Sequence, residues 1–255
     1  MKMSFQTLLR GAVAMVVAAA LPTDASAQDL PPAREVIDRY VEAIGGRDAA
    51  LQSMSSRTTG SFSMPAMGVT GDLTVLTGED DQMYTMVNIP GMGQMQSGYT
   101  GEVGWSVDPM TGPRLLEGGE LDAIREQSDD QYAVRDPALF TSVETVGETE
   151  YDGEACWQVA YVWVSGREST ECFSKDTGLL VATTASQESP MGSVDVVTRV
   201  SDYQQFGDLL MPTTMRQSMM GQEQVMTIES VEFGTVDASE LEPPAAILTL
   251  INAGG

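Results

Sequence analysis

From residue 56 onward the chain is punctuated about every 8–12 residues by glycine, proline or aspartate, and the pieces between alternate apolar with polar. Alternation over short runs is the mark of half-buried strands, and close, regular punctuation joins them by hairpins instead of crossover helices. Residues 56–64, 69–77, 82–89, 94–98 and 102–107 read as five successive strands, with turns at 64–68, 78–81, 90–93 and 100–101. Strands resume at about 143–151, 154–164, 168–174, 178–187, 192–204, 209–219 and 223–233. The stretch between, PRLLEGGELDAIREQSDD and then DPALFTSV around 113–142, has a helical pattern. A sheet this long must curl or split.

The flanking segments supply cover for such a sheet. In AREVIDRYVEAIGG (33–46), Val36, Ile37, Tyr40, Val41 and Ile44 form one helical stripe, and Gly45-Gly46 stops it. A short helical piece, RDAALQSM (47–54), follows, and the tail from Asp237 reads as a turn and closing helix. The expected fold class is α+β: a single large curved antiparallel β-sheet, an unclosed half-barrel of about 11–12 strands, with helices covering the concave face.

Residues 1–27 read as a signal peptide. Lys2 and Arg10 give a basic start, 11–21 (GAVAMVVAAAL) is too short to span a bilayer, and Ala25-Ser26-Ala27 fits a cleavage site. The mature chain is then one domain, 28–255, in the periplasm, or secreted where the host has no outer membrane. Cleavage removes Lys2, Arg10 and Asp24, leaving 11 basic and 36 acidic groups, net −25. Such a charge excludes nucleic acid and disfavours anionic headgroups as partners. It is most simply a solubility adaptation.

Cys156 and Cys172 are the only cysteines, both in strand-like runs on either side of Ser165-Gly166. With export, they read as a structural disulfide. Were they directly opposite in a hairpin, the pairing would centre on Val164.

Little here suggests catalysis. There is no histidine, so the usual base of serine and cysteine triads is missing and ordinary zinc-hydrolase sites cannot be assembled. No G-x-S-x-G, Walker A or G-x-G-x-x-G motif occurs. No catalytic residue, cofactor or metal ligand is assigned, and the chain reads as a non-enzyme. The acidic turns GEDDQ (78–82) and QSDDQ (127–131) lack the spacing of a calcium loop. M-x-x-M occurs at 64/67 and 92/95, but without a repeated tract or a histidine to support Cu(I).

Of the 17 methionines, seven lie near glycine at strand ends: Met64 and Met67, Met92 and Met95, Met191, Met219 and Met220. Methionine fills irregular apolar space and repacks around varied guests. Alternation places Met83, Thr85, Val87 and Ile89 on one face and Met215 and Met219 on one face of a later strand. These faces suit either a pliable cavity lining or an ordinary core beneath the helices.

EVIDRYVEAIGG (35–46), SMPAMGVTGDL (63–73), IPGMGQMQSGYTGEVGW (89–105), MTGPRLLEGGEL (110–121), KDTGLLV (175–181), SDYQQFGDLLMP (201–212) and MGQEQVMTIESVEF (220–233) together resemble outer-membrane lipoprotein-sorting-like proteins of the LolA/LolB-like superfamily. The resemblance implies an unclosed barrel with a helical lid over an apolar cavity, and relatives that carry acyl chains, bind lipids or sense lipoproteins. It implies a ligand cavity here lined by Met64, Met67, Leu73, Val75, Met83, Val87, Met215, Met219, Met226 and Ile228. A cavity arginine associated with lipoprotein handover in LolA itself has no fixed counterpart in these motifs; Arg57, Arg199 and Arg216 are the candidates. The expected function is a periplasmic carrier or binding protein for lipid or lipoprotein acyl chains, in transient contact with envelope membrane proteins. The alternative is a non-enzymatic envelope sensor or scaffold that binds another envelope protein.

Overall fold

The computed structural model describes residues 30–52, 55–189, 192–219 and 221–253; the expected signal peptide, 1–27, lies outside them. Helix α1 (Ala33–Ala43) begins after Pro32, whose fixed φ and missing N–H cost nothing at a helix start. It ends where Gly45 and Gly46 turn to positive φ. Gly45 is also required by proximity, because a Cβ there would lie 2.2 Å from the Asp208 carbonyl oxygen. Close by, the Leu210 N–H donates to the Ile44 carbonyl at 2.8 Å. Helix α2 (Arg47–Gln52) follows.

Six strands come next: β1 (Ser56–Met64), β2 (Val69–Thr77), β3 (Met83–Ile89), β4 (Gly93–Tyr99), β5 (Gly104–Asp108) and β6 (Gly112–Leu115). Helix α3 (Gly118–Ser128) and 3-10 turns at Asp130–Val134 and Pro137–Leu139 lead to a second set. This comprises β7 (Phe140–Tyr151), β8 (Glu154–Trp163), β9 (Glu168–Ser174), β10 (Leu180–Ser189), β11 (Gly192–Phe206), β12 (Leu209–Met219) and β13 (Gln222–Phe233). Helix α4 (Ala245–Ala253) closes the chain and lies against β5 and β6.

All these strands form one 13-stranded sheet, ordered β6-β5-β4-β3-β2-β1-β13-β12-β11-β10-β9-β8-β7, and every neighbouring pair is antiparallel. Two meanders therefore meet at the β1–β13 pairing, and β6 and β7 are the free edges. The chain leaves one edge at Leu115 and re-enters at the other at Phe140, so residues 116–139 must cross the sheet. They cross its concave face, where α3 lies against β4, β5 and β10.

The sheet has one strand more than the sequence pattern implies. The addition is β6, inside a stretch that reads as helical from residue 113. Its four residues are too few to show alternation, and Pro113 resembles a helix-start signal. Pro113 is tolerated because β6 is an edge strand. The helical reading of DPALFTSV also gives way. Asp136 caps a single turn by accepting from the Ala138 N–H at 2.9 Å, and β7 starts at Phe140.

Alternation along the ladders separates the two faces. On the concave side, α1 buries Val36, Ile37, Tyr40 and Val41 against Val159, Tyr161 and Trp163 of β8, Phe173 of β9 and Phe140 of β7. Aromatic pairs tighten this half: Phe140 lies 4.8 Å from Tyr161 and 4.6 Å from Trp163, and Tyr40 lies 5.2 Å from Phe173. A second cluster, Phe62, Leu73, Val87 and Ile89, sits at the far end of β1–β3.

Cys156 and Cys172 are disulfide-bonded with Cα atoms 5.4 Å apart. Their register differs from direct opposition. Cys156 faces Ser174 and Cys172 faces Gln158, so the hairpin centres on Ser165 and the bridge joins diagonal neighbours. Both alternate with the residues that pack under α1, which places the bridge on the convex face, buried beside Val181 and Ala182.

Candidate functional site: a half-filled concave face

The two halves of the concave face are treated differently. Beneath α1 the β7–β10 half is packed with aromatic rings. Beneath α3 a cavity of about 1040 Å³ remains. Its floor is Leu73 and Val75 of β2, Met83 and Thr85 of β3, Met211 and Met215 of β12, and Met226 and Ile228 of β13. Ala123, Ile124 and Gln127 of α3 form its roof. Ser56, Thr58, Ser97 and Ser106 interrupt the apolar lining. The charged margin comprises Arg114, Glu120, Asp122, Arg167 and Glu168. A narrower extension of about 450 Å³ shares Thr85, Ser97, Ser106 and Arg114 with the cavity, then runs past Val87, Met95 and Val107 to Met110.

The structure divides the ten residues that the sequence nominated. Leu73, Val75, Met83, Met215, Met226 and Ile228 line the cavity together. Val87 lines the extension, and Met64 packs on the Phe62 cluster. Met67 belongs to neither; it is exposed on the turn between β1 and β2, because the 3-10 turn Pro65–Met67 carries it off the strand. The Met219 side chain lies outside the described residues. Both M-x-x-M pairs are likewise split, with Met64 and Met95 packed and Met67 and Met92 exposed.

The three arginine candidates are on the wrong side of the sheet. Thr58, Val200 and Met215 face inward, so Arg57, Arg199 and Arg216 point outward by alternation. Arg57 makes a two-pronged contact with Glu240 at 2.6 and 2.7 Å. Arg199 and Arg216 stand opposite each other and share Glu223. The arginines at the cavity are instead Arg114 and Arg167, which the sequence did not single out.

Each of those two is tied to α3. Arg114 donates to both carboxylate oxygens of Glu120, at 2.7 and 2.9 Å. Hydrogen bonding to that guanidinium holds the Glu120 carboxyl below its ordinary range. Arg167 pairs with Glu126, which also accepts from the Ser165 hydroxyl at 2.5 Å. The roof helix is thus pinned at one end to β6 and at the other to the β8–β9 turn.

Glu126 is largely buried, and desolvation raises its pKa above the ordinary 4.5 in spite of Ser165 and Arg167. A carboxyl raised in the native state binds more protons than in the unfolded chain, so stability falls as pH climbs from that ordinary value to the raised one. We expect Glu126→Gln to flatten this part of the stability–pH curve, measured by urea unfolding in steps of pH. An unchanged slope would show that another group sets it.

The remainder of the crossing segment is anchored by a buried ion pair. Arg135, 4% exposed, donates from Nε to Glu171 Oε2 at 3.0 Å and from Nη2 to Oε1 at 2.8 Å; Glu171 is 1% exposed. The Tyr132 hydroxyl donates to the same carboxylate at 2.8 Å. Arg135 Nη1 reaches the carbonyls of Tyr132 and Ala133, both at 3.1 Å, and the guanidinium lies over the rings of Tyr40 and Tyr132. Burial alone would lower the Arg135 pKa, but the Glu171 charge outweighs it and holds the group above its usual range. Burial and the same carboxylate push the Tyr132 hydroxyl up. Arg135 adopts φ +47°, an unusual conformation that this web of contacts fixes. The two acidic turns noted in the sequence also meet here. Carboxylate oxygens of Asp81, Asp129 and Asp130 lie within 4.8 Å of one another, and the Asp130 N–H donates to Asp81 at 3.1 Å. Burial, then the neighbouring aspartates, raise Asp129.

No protein-family model and no curated protein matches this sequence. Solved structures do match. A LolA-superfamily protein from Nitrosomonas europaea superposes with TM-score 0.55 at 11% identity, covering 84% of this chain and 98% of that one. A DUF1329-family protein from Desulfovibrio piger gives 0.54 at 15% identity, over 84% and 99%. A domain named for outer-membrane lipoprotein sorting, from Vibrio parahaemolyticus, gives 0.51 at 10% identity, over 82% and 97%. Likeness at such identities shows the fold alone, an unclosed antiparallel half-barrel with helices across it.

Proposed function

We propose that this protein is an exported, non-enzymatic carrier that holds a lipid, or the acyl chain of a lipoprotein, under α3. On this reading residues 1–27 are a signal peptide, 28–255 act as one domain, and the protein works in the periplasm or, without an outer membrane, outside the cell. The observation that carries the proposal is the half-filled concave face. The chain packs one half with aromatic rings and leaves about 1040 Å³ open in the other. A sensor or scaffold would be served equally well by a filled interior. The relatives of this architecture include one named for lipoprotein sorting.

The lining fits a guest that must be released again. A 16-carbon chain gains on the order of 12 kcal/mol on leaving water for a dry cavity, at ~0.8 kcal/mol per CH₂. A lining of leucine alone would make release slow. Flexible Met83, Met211, Met215 and Met226, interrupted by Ser97, Ser106 and Thr85, moderate that gain. Lipid extracted from protein purified from its native host should give a defined mass spectrum. Thr85→Trp, which fills the junction of cavity and extension, should weaken a fluorescent fatty acid probe more than about ten-fold, equivalent to ~1.4 kcal/mol. Protein that is consistently empty and ignores such probes would rule the carrier out.

A further inference from the structure

The carrier reading leaves one pattern unused: the methionines at the turns. Because every strand pair is antiparallel, alternate turns fall on opposite rims of the sheet. The β1–β2, β3–β4, β5–β6 and β8–β9 turns share one rim. They read Pro65-Ala-Met67-Gly, Pro90-Gly-Met92, Pro109-Met110-Thr and Val164-Ser-Gly-Arg167, and the one charged side chain among them, Arg167, is paired with Glu126. Met67 is 62% exposed, Met92 53%, Met110 89% and Val164 65%. Among the described residues seven large apolar side chains are exposed, and these four make up more than half of them.

The opposite rim is acidic. Asp80, Glu102, Asp152, Asp176 and Asp208 occupy its turns, all exposed. With a net charge of −24 on the chain, these four turns, whose single charge is a paired arginine, contrast with the acidic turns opposite and give the molecule two chemically distinct ends.

The geometry points to the methionine rim as a docking surface for the face of a zwitterionic phospholipid bilayer. Turns two strands apart are separated by ~10 Å, at ~4.8 Å per strand, so each tip presents one isolated apolar side chain. Protein interfaces are instead centred on packed aromatic and arginine anchors; no tip here carries an aromatic, and the one arginine, Arg167, is engaged by Glu126 of α3. A fluid acyl layer accepts separate flexible prongs without a matching pocket. The acidic rim is held away by its hydration and by repulsion from any anionic lipid. The extension of the cavity ends on this rim, at Met110. A docked molecule would therefore open its interior towards the membrane. The inference goes beyond the carrier reading and does not require it.

The test is co-sedimentation with phosphatidylcholine vesicles. The wild type should pellet with them, and raising salt to ~1 M, where the screening length is ~3 Å, should not release it. Replacing part of the lipid with phosphatidylglycerol should weaken binding. M67E/M92E/V164E, with all three changes on exposed turns outside the cavity lining, should bind at least about ten-fold more weakly. It should keep the wild-type melting temperature and, without vesicles, the wild-type affinity for a fluorescent fatty acid. Failure of the wild type to pellet, or equal binding by the triple variant, overturns the inference. So does a self-associated form in vesicle-free solution that the triple variant dissolves, which would make the rim a contact between copies. In each case unchanged probe binding leaves the carrier reading standing.

Discussion

Arg135→Ala should cost about 3–5 kcal/mol of folding stability, because it strands the Glu171 carboxylate without its counter-ion in a site with almost no access to water. Domains of this kind are stable by only about 5–15 kcal/mol, so the loss would be conspicuous in urea or thermal unfolding. Glu171→Ala should be comparably damaging from the other side, leaving the guanidinium with only two carbonyls and two ring faces. Replacing both partners with apolar residues of similar volume should recover much of the loss, since the desolvation penalty disappears with the charges. A single-variant loss below about 1 kcal/mol would mean that water or a relaxed backbone reaches Glu171.

The second large effect is expected at the disulfide. Cys156→Ala/Cys172→Ala should lose about 3 kcal/mol, on the account in which closing a loop near this length restricts the unfolded chain. Both sulfurs are buried, so the native protein should show no alkylatable thiols until it is denatured and reduced. Two reactive thiols in undenatured, freshly purified protein would refute the bridge.

How legible these features were from the sequence depended on whether they are local. The α1 stripe was readable because 3.6-residue spacing is written within 12 residues, and Val36, Ile37, Tyr40 and Val41 are buried as that spacing requires. The inward faces of β3 and β12 were readable by alternation for the same reason. The Arg135–Glu171 pair was not, because its members are separated by 36 residues and each looks like an ordinary surface charge. Arg114 and Arg167 were passed over because only the crossing segment brings α3 to both. The cysteine pairing was legible as a pair but not as a register, since a diagonal bridge and a direct one leave the same trace in sequence. The methionines misled in one respect. Residue type suggested a single lining, whereas strand position sends some inward and turn position sends others, such as Met67 and Met92, into solvent.

The seam between β1 and β13 has a consequence for biosynthesis. Residues 56–63 pair with 225–233, so the two meanders share no ladder until the last strand arrives. A nascent chain truncated before Gln222 has two half-sheets and two additional open edges, at β1 and β12, where unpaired N–H and C=O groups invite other chains. The chain is thus most vulnerable to aggregation before β13 is made, and β13 is the strand that removes that exposure.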